Sequence, residues 1–384
     1  MSNWKKYKLG DLAGLRKDQI IAGGKEQPYI GLEHIEQQTL RLNGIGNSKD
    51  VISNKFQFQS GDILYGKLRP YFRKVYQPKF EGVCSTDIYV IKNKPIVNNS
   101  FLYYLVATEQ FTNLANSGST GTRMPRASWS QLENTEWAIP DLPTQTRIAS
   151  ILSTFDDKIE LLGQMNQTLE TIAQTIFKEW FVNFNFPGFD GELMEGLPKG
   201  WRKGKLGEEF DLVMGQSPKG ETYNENGKGM VFYQGRTDFG FRFPSNRLFT
   251  TEPNRKANSL DTLVSVRAPV GDINMANETC CIGRGLSSVR HKTKAFSYTY
   301  YLMKNIKDIF KSFESEGTVF GSINKSNFED IEILIPELKI LSTFETAVNP
   351  IDYKILENQY QIHTLTHLRD ALLPKLMSGQ IGTV

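Results

Sequence analysis

Four cations and four aromatic rings alternate through Tyr65-Gly66-Lys67-Leu68-Arg69-Pro70-Tyr71-Phe72-Arg73-Lys74-Val75-Tyr76. Lys67, Arg69, Arg73 and Lys74 carry the charge to neutralise phosphates, and rings such as Tyr71 add flat faces with a polar tip. That composition suits a surface that grips a nucleic-acid backbone and approaches base edges. The second half of the chain holds comparable material in Arg236, Arg242, Arg247, Arg255, Lys256 and Arg267. Base edges in the major groove are read by Arg, Lys, Gln, Asn, Ser and Thr. This adds Thr120, Thr122 and Arg123 to the first set, and Gln216, Ser217, Gln234, Thr237 and Thr318 to the second. An ordinary solvated strand face has the same composition, so charge and ring content alone leave both readings open.

Catalytic constellations are missing from the sequence. It contains no GxxxxGK[ST] loop, no GxGxxG after a strand, no HExxH and no GxSxG. Glu337-Leu338-Lys339 has the ExK form of a nuclease, yet it occupies a strand-to-helix junction that the chain repeats at Asp141-Leu142-Pro143. Gly283-Arg284-Gly285 and Gly44-Ile45-Gly46 are lone triplets that read as turns. His363 and His367 stand four apart on an expected helix, two ligands without a third, and read as a solvated face. Asn349-Pro350-Ile351-Asp352 lacks the aromatic residue of an amino-methyltransferase NPPY motif and reads as a helix start. Cys84, Cys280 and Cys281 show no CxxC spacing and read as reduced thiols. No metal and no cofactor are expected in this chain.

The elements that must position the charged residues come in duplicate. Trp4-Lys5-Lys6-Tyr7-Lys8-Leu9-Gly10-Asp11 returns as Trp201-Arg202-Lys203-Gly204-Lys205-Leu206-Gly207-Glu208, displaced by 197 positions. Gly61-Asp62-Ile63-Leu64, followed by Arg69-Pro70, is echoed by Asp261-Thr262-Leu263 with Arg267 and Pro269. Gly121-Thr122 matches Gly317-Thr318, and Ile139-Pro140-Asp141-Leu142 matches Ile335-Pro336-Glu337-Leu338. The period far exceeds the ~20–50 residues of a solenoid, so each copy is a whole module. Short apolar runs such as Asp87-Ile88-Tyr89-Val90-Ile91 predict strands in each module, with a few helices such as 100–115.

After each module the pattern changes. Ile148, Leu152, Phe155, Ile159, Leu162, Asn166, Leu169, Ala173, Ile176 and Trp180 step by four and three, the seam of a coiled coil. A second seam runs from Leu341 through Phe344, Val348, Ile351, Ile355, Asn358, Ile362, Leu365, Arg369 and Leu372 to Leu376, and Pro350 is expected to break this helix into a short and a long piece. In an antiparallel pair, Asn166 opposite Asn358 sets Leu162 on Ile362 and Ile159 on Leu365. A buried Asn pair costs stability but fixes register, so these four residues are expected to set the spacing of the modules. A seam shifted slightly would instead leave both Asn residues in solvent. The paired stretch, at ~1.5 Å per residue, is about 32 Å long, near the ~34–36 Å between half-sites one turn apart on DNA.

With 384 residues, two or three domains are expected. The division is 1–141 and 201–336 as recognition modules, 142–182 and 337–384 as helical regions, and 183–200 as linker. The fold class is α+β, two similar mixed domains separated by two long antiparallel helices. Lys+Arg 45 against Asp+Glu 42 gives only +3, so any DNA contact must come from where the charges sit. No apolar run approaches the ~20 residues of a membrane helix, and the first residues lack a secretory h-region, so a cytoplasmic protein with no membrane partner is expected.

The order of domain, helix, restart at Leu197-Pro198-Lys199-Gly200-Trp201, domain and helix resembles the DNA specificity subunit of type I restriction-modification systems. The run Ile139-Pro140-Asp141-Leu142-Pro143-Thr144-Gln145 leading into Ile148-Ala149-Ser150-Ile151-Leu152, and Trp180-Phe181 at its end, are also similar to that family, and the likeness covers nearly the whole chain. The second helix departs from it, with Glu337-Leu338-Lys339 and Pro350. The resemblance implies a subunit without catalysis of its own, whose two domains each read one half of an asymmetric split target in double-stranded DNA. It also implies modification (methyltransferase) subunits bound around the helices, and restriction or translocase subunits where present. S-adenosylmethionine, ATP and Mg would then belong to those partners. The alternative is a duplicated, non-catalytic protein-interaction scaffold.

Overall fold

The computed structural model describes residues 4–20, 26–119, 124–315 and 321–382. The chain divides into two compact units, Met1–Leu162 with Tyr360–Val384, and Gly163–Gln359. Two 40-residue helices, Leu142–Phe181 and Leu338–Met377, each contribute residues to both.

In the first unit a four-stranded antiparallel sheet runs in the order Ala13–Leu15, Ile88–Asn93, Ile63–Gly66, Val75–Tyr76. Strand Ile63–Gly66 is buried throughout, and its side chains alternate between two cores. Ile63 and Tyr65 join Phe101, Leu102, Phe111, Ile148, Leu152, Leu373 and Leu376 on one face, while Leu64 joins Ile30, Phe58, Cys84 and Val90 on the other. Tyr65 is therefore core, packed edge-on against Phe111, and not part of a cationic surface. A five-stranded sheet, in the order Gln19–Ile20, Lys55–Phe58, Gly82–Cys84, Pro28–Ile30, Gly46–Asn47, completes the unit with the pair Lys5–Lys8 and Glu136–Ile139. The helix expected at 100–115 is two helices, Asn99–Val106 and Glu109–Ser117, because Thr108 starts the second by accepting from the Phe111 N–H at 3.2 Å. The first long helix begins on an Asp141 cap, and its buried Gln145 accepts from the Asn98 N–H at 2.7 Å.

The second unit repeats this plan. Its four-stranded sheet runs Phe210–Met214, Leu286–His291, Thr262–Ser265, Ile273–Met275. Its five-stranded sheet runs Tyr223–Asn224, Phe249–Thr250, Met230–Tyr233, Cys280–Ile282, Lys256–Ala257. Both five-stranded sheets centre on one parallel pair, Pro28–Ile30 with Gly82–Cys84 and Met230–Tyr233 with Cys280–Ile282, and differ in their edge strands. The core gathers Val264, Val289, Tyr298, Phe310, Ala173, Phe177, Leu341, Phe344, Val348 and Ile355. All three cysteines are buried free thiols.

Helix Leu338–Met377 runs unbroken through Pro350, against expectation. A proline inside a helix costs about 3 kcal/mol. Here Leu341, Phe344, Val348 and Ile355 are buried around it, and Asn349 and Asp352 both engage the Ser297 hydroxyl, at 2.8 and 2.5 Å. Tertiary packing of that face outweighs the local cost.

Candidate nucleic-acid interface

In the first unit the candidate cations sit on the loop after Ile63–Gly66. Its backbone is held from two sides: the Lys67 N–H donates to the Asp87 carbonyl at 2.9 Å and the Arg69 N–H to that of Pro125 at 2.7 Å. Arg69 and Arg73 flank the short turn Pro70–Phe72 in left-handed conformation, φ 51° and 45°. Such backbone costs roughly 1 kcal/mol or more per residue and persists where surroundings impose it. It turns the exposed Arg69 and Tyr71 to solvent, while Lys67 lies half-buried with its ammonium 5.3 Å from the Tyr89 ring centre. Lys74 is otherwise engaged. Its ammonium donates to the Leu32 carbonyl at 2.5 Å, and partial burial pushes its pKa down. Arg73 is half-buried, with one N–H 3.5 Å from the Gln38 carbonyl. Thr120, Thr122 and Arg123 lie outside the described residues, as does Thr318.

In the second unit three glycines draw separate segments together. A Cβ on Gly215 would stand 2.2 Å from the Gly283 carbonyl oxygen, and one on Gly283 would stand 2.8 Å from that of Gln234. Gly285 is equally close, its Cβ position 3.0 Å from the Gln234 oxygen. The Gln216 N–H donates to the Ile282 carbonyl at 3.0 Å, and the Arg284 N–H approaches the Ser217 hydroxyl at 3.4 Å. Exposed Gln216, Gln234 and Arg284 and half-buried Ser217 thus come from three segments to one place. Arg267 follows Val266, whose N–H donates to the Gly285 carbonyl at 2.9 Å, and is exposed.

Sequence reading placed some of these residues wrongly and missed others. Arg267 bridges Ser322 as Leu68 bridges Arg126, so the counterpart of Arg69 is Ala268 and not Arg267. Arg284 was hidden in a triplet that reads only as a turn, and turn it is, one that projects an arginine beside Gln234. Arg236 and Thr237 are exposed on the turn Arg236–Asp238, but the Arg236 guanidinium is drawn to Asp272. Arg242 is no surface residue at all. It is 1% exposed, bonded to Glu170 at 2.5 Å, Asp352 at 2.6 Å and the Tyr301 hydroxyl at 2.9 Å, with its guanidinium 3.5 Å over the Tyr300 ring. Within the second unit this arginine joins the segment before strand Phe249–Thr250 to both helices. The first unit has a related centre of different origin. Arg369, on the second helix and also 1% exposed, binds Asp156 at 2.7 Å and the Thr39 carbonyl at 3.2 Å. The Tyr104 hydroxyl donates to Asp156 at 2.7 Å as the Tyr301 hydroxyl donates to Asp352 at 3.0 Å.

Along the helices Ile159, Leu162 and Ile362 share a small core with Leu365 in the first unit. In the second, the Asn358 amide donates to the Asn166 carbonyl oxygen at 2.9 Å. His363 and His367 are exposed, their Nε2 atoms 3.0 Å apart, and the described residues contain no group of three metal-ligating side chains. No described helix is long and apolar enough to cross a membrane.

Comparison with known proteins supplies the family. The family described as Type I restriction modification DNA specificity domain matches residues 1–171 and 198–375. The type I restriction enzyme HindI specificity subunit of Haemophilus influenzae is 26% identical, over 99% of this chain and 100% of its own. The MjaIX specificity subunit of Methanocaldococcus jannaschii is 29% identical over 74% of this chain and 69% of its own. The crystal structure of the type I restriction-modification S subunit from M. genitalium covers 97% of this chain and 96% of its own at TM-score 0.61 and 18% identity, a likeness of fold. Two matched segments, one for each duplicated half, with exposed polar side chains gathered on the loops of each, place this chain in the type I restriction-modification DNA specificity family, whose members recognise DNA sequence and are not catalysts by themselves.

Proposed function

We propose that the chain reads a split DNA target, each unit contacting one half, and that the two halves differ in sequence. The observation that carries this reading is the pairing of one framework with two unlike loop sets. Equivalent sheets hold Lys67, Arg69, Tyr71 and Arg73 in one unit and Gln216, Ser217, Gln234, Arg267 and Arg284 in the other. Cationic side chains position the protein on phosphates, and Gln, Ser and Arg read base edges. Thr120, Thr122, Arg123 and Thr318 belong to the same proposal by their place in the repeat, and Arg236 and Thr237 by their exposure.

The helices serve in this reading as spacer and as dock. Residues 1–141 and 201–336 are the recognition domains, 142–182 and 337–384 the spacer regions, and 183–200 the connection. The Asn166–Asn358 bond and the Leu162–Ile362 layer fix the register. Apolar side chains left exposed on the helices, Ile151, Leu161, Tyr360 and Leu368 in the first unit and Met165, Ile172, Leu338 and Tyr353 in the second, suit binding to modification subunits. Those subunits would use S-adenosylmethionine, and an associated restriction subunit would use ATP and Mg. Such a complex works on DNA in the cytoplasm.

Methylome sequencing of cells with and without this chain tests the reading. An asymmetric, interrupted motif that disappears with the chain is expected, and a palindromic or continuous motif overturns it. Inserting one heptad into each helix is expected to widen the gap by about 10 Å, or ~3 base pairs, and an unchanged gap refutes the spacer.

A further inference from the structure

Arg236 and Arg126, beside these loops, are already paired with acids. Arg236 meets the Asp272 carboxylate, and Lys307 approaches its other oxygen at 3.0 Å. The three side chains stay accessible, at 48%, 27% and 45%, in a cleft of about 320 Å³ whose wall includes Phe239, Phe241 and Tyr300. In the first unit Arg126 meets Asp87 at 3.0 Å, with 46% and 29% exposure, and bridges Leu68 between Lys67 and Arg69.

The two pairs are not copies of each other. The Asp87 carbonyl accepts from the Lys67 N–H as the Gly285 carbonyl accepts from the Val266 N–H, so Asp87 occupies the Gly285 position. The Asp272 carbonyl accepts from the Ser265 N–H as the Lys74 carbonyl accepts from the Gly66 N–H, so Asp272 occupies the Lys74 position. Duplication did not supply these acids, since each domain carries its own on a different loop. Ion pairs this exposed add little to folding, which leaves their effect on an incoming anion as the physical consequence of placing them there. Partial burial pushes the Asp272 carboxyl up, but hydrogen bonds from Arg236 and Lys307 outweigh it and hold the group below its ordinary range.

We infer that Asp87 and Asp272 compete with DNA phosphates for Arg126 and Arg236, so that each carboxylate lowers the affinity of its unit for duplex of any sequence. The inference rests on the reading that these loops face DNA. Carboxylate and phosphate both match the guanidinium fork, and unspecific duplex binding is almost entirely phosphate electrostatics. An arginine that must leave an acid gains less from a phosphate, and the acid left behind repels the backbone. A restrained affinity for unspecific duplex matters because a genome offers it in vast excess over true sites.

The test is equilibrium titration of the full chain with a random-sequence duplex at low salt. Asp272→Asn and Asp87→Asn are each expected to tighten binding roughly two- to five-fold, the size of one exposed ion pair. In an Arg236→Gln background, Asp272→Asn is expected to recover much less. Glu195→Gln, the same charge change on the exposed connecting segment, is expected to leave affinity unchanged. Unchanged or weaker binding by both Asp variants, or equal tightening by Glu195→Gln, overturns the inference and leaves the DNA reading standing. Absence of duplex binding by the wild-type chain overturns both.

Discussion

Asn358 donates its side-chain amide to the Asn166 carbonyl oxygen at 2.9 Å, and the two side chains are 0% and 2% exposed. The Asn166 amide in turn lies 3.4 Å from the Ile355 carbonyl. An amide pair inside an apolar seam contributes little net stability, but any shift of register would set each amide against hydrocarbon. Asn166→Ala should cost ~1–3 kcal/mol in chemical denaturation, because it strands Asn358. Asn166→Leu with Asn358→Leu should recover that loss or better. Cysteines at both positions should crosslink on oxidation, and the absence of that disulfide would refute the register.

Arg242 presents a larger effect. Removing it leaves Asp352 buried without its counter-charge and Glu170 with Lys304 alone, at 2.5 Å, and loss of one partner of a buried charge pair costs about 3–5 kcal/mol. Arg242→Met should lower the denaturation midpoint by a corresponding amount. A midpoint within experimental error of wild type would show that the network adds nothing.

Glu345 makes the second unit lose stability as pH rises from mildly acidic to neutral. Burial raises its carboxyl to about 7 from an ordinary 4.5, against the opposing bonds from the Tyr298 and Ser297 N–H groups. The folded state therefore holds a proton that the unfolded chain has lost, so this contribution is full below the unfolded pKa and disappears as pH rises through the folded one. Stability should fall by roughly 2 kcal/mol between pH 5 and 8 from this group alone. Glu345→Gln should flatten that slope in pH-dependent melting, and an unaltered profile would assign the slope elsewhere.

Gln234 and Arg284 should change one half of the target only. Loss of a good bidentate base contact is worth about 1–3 kcal/mol of discrimination. Gln234→Ala or Arg284→Ala should relax methylation specificity in a single half-site while the other half and the gap stay constant. Relaxation in both halves would mean that the substitutions act on folding.

The sequence by itself determined the duplication and the two long helices, and offered partners along their seam. These are periodic properties: Trp201 repeats Trp4, and Leu162 and Ile362 fall at matched steps of three and four, so chain order alone carries the information. It could not decide which cations are free. Arg69 and Arg242 look alike in a one-dimensional list, yet one is exposed on a left-handed turn and the other is enclosed by Glu170, Asp352 and Tyr301. Nor could it separate Lys74, held by the Leu32 carbonyl, from its neighbours, or bring Arg284 on its glycine turn beside Gln234 and Ser217. Pro350 shows the same limit, since its local preference to break a helix yielded to a buried face only the folded unit supplies. Burial and charge pairing arise between residues far apart in sequence, and tertiary structure alone decided them.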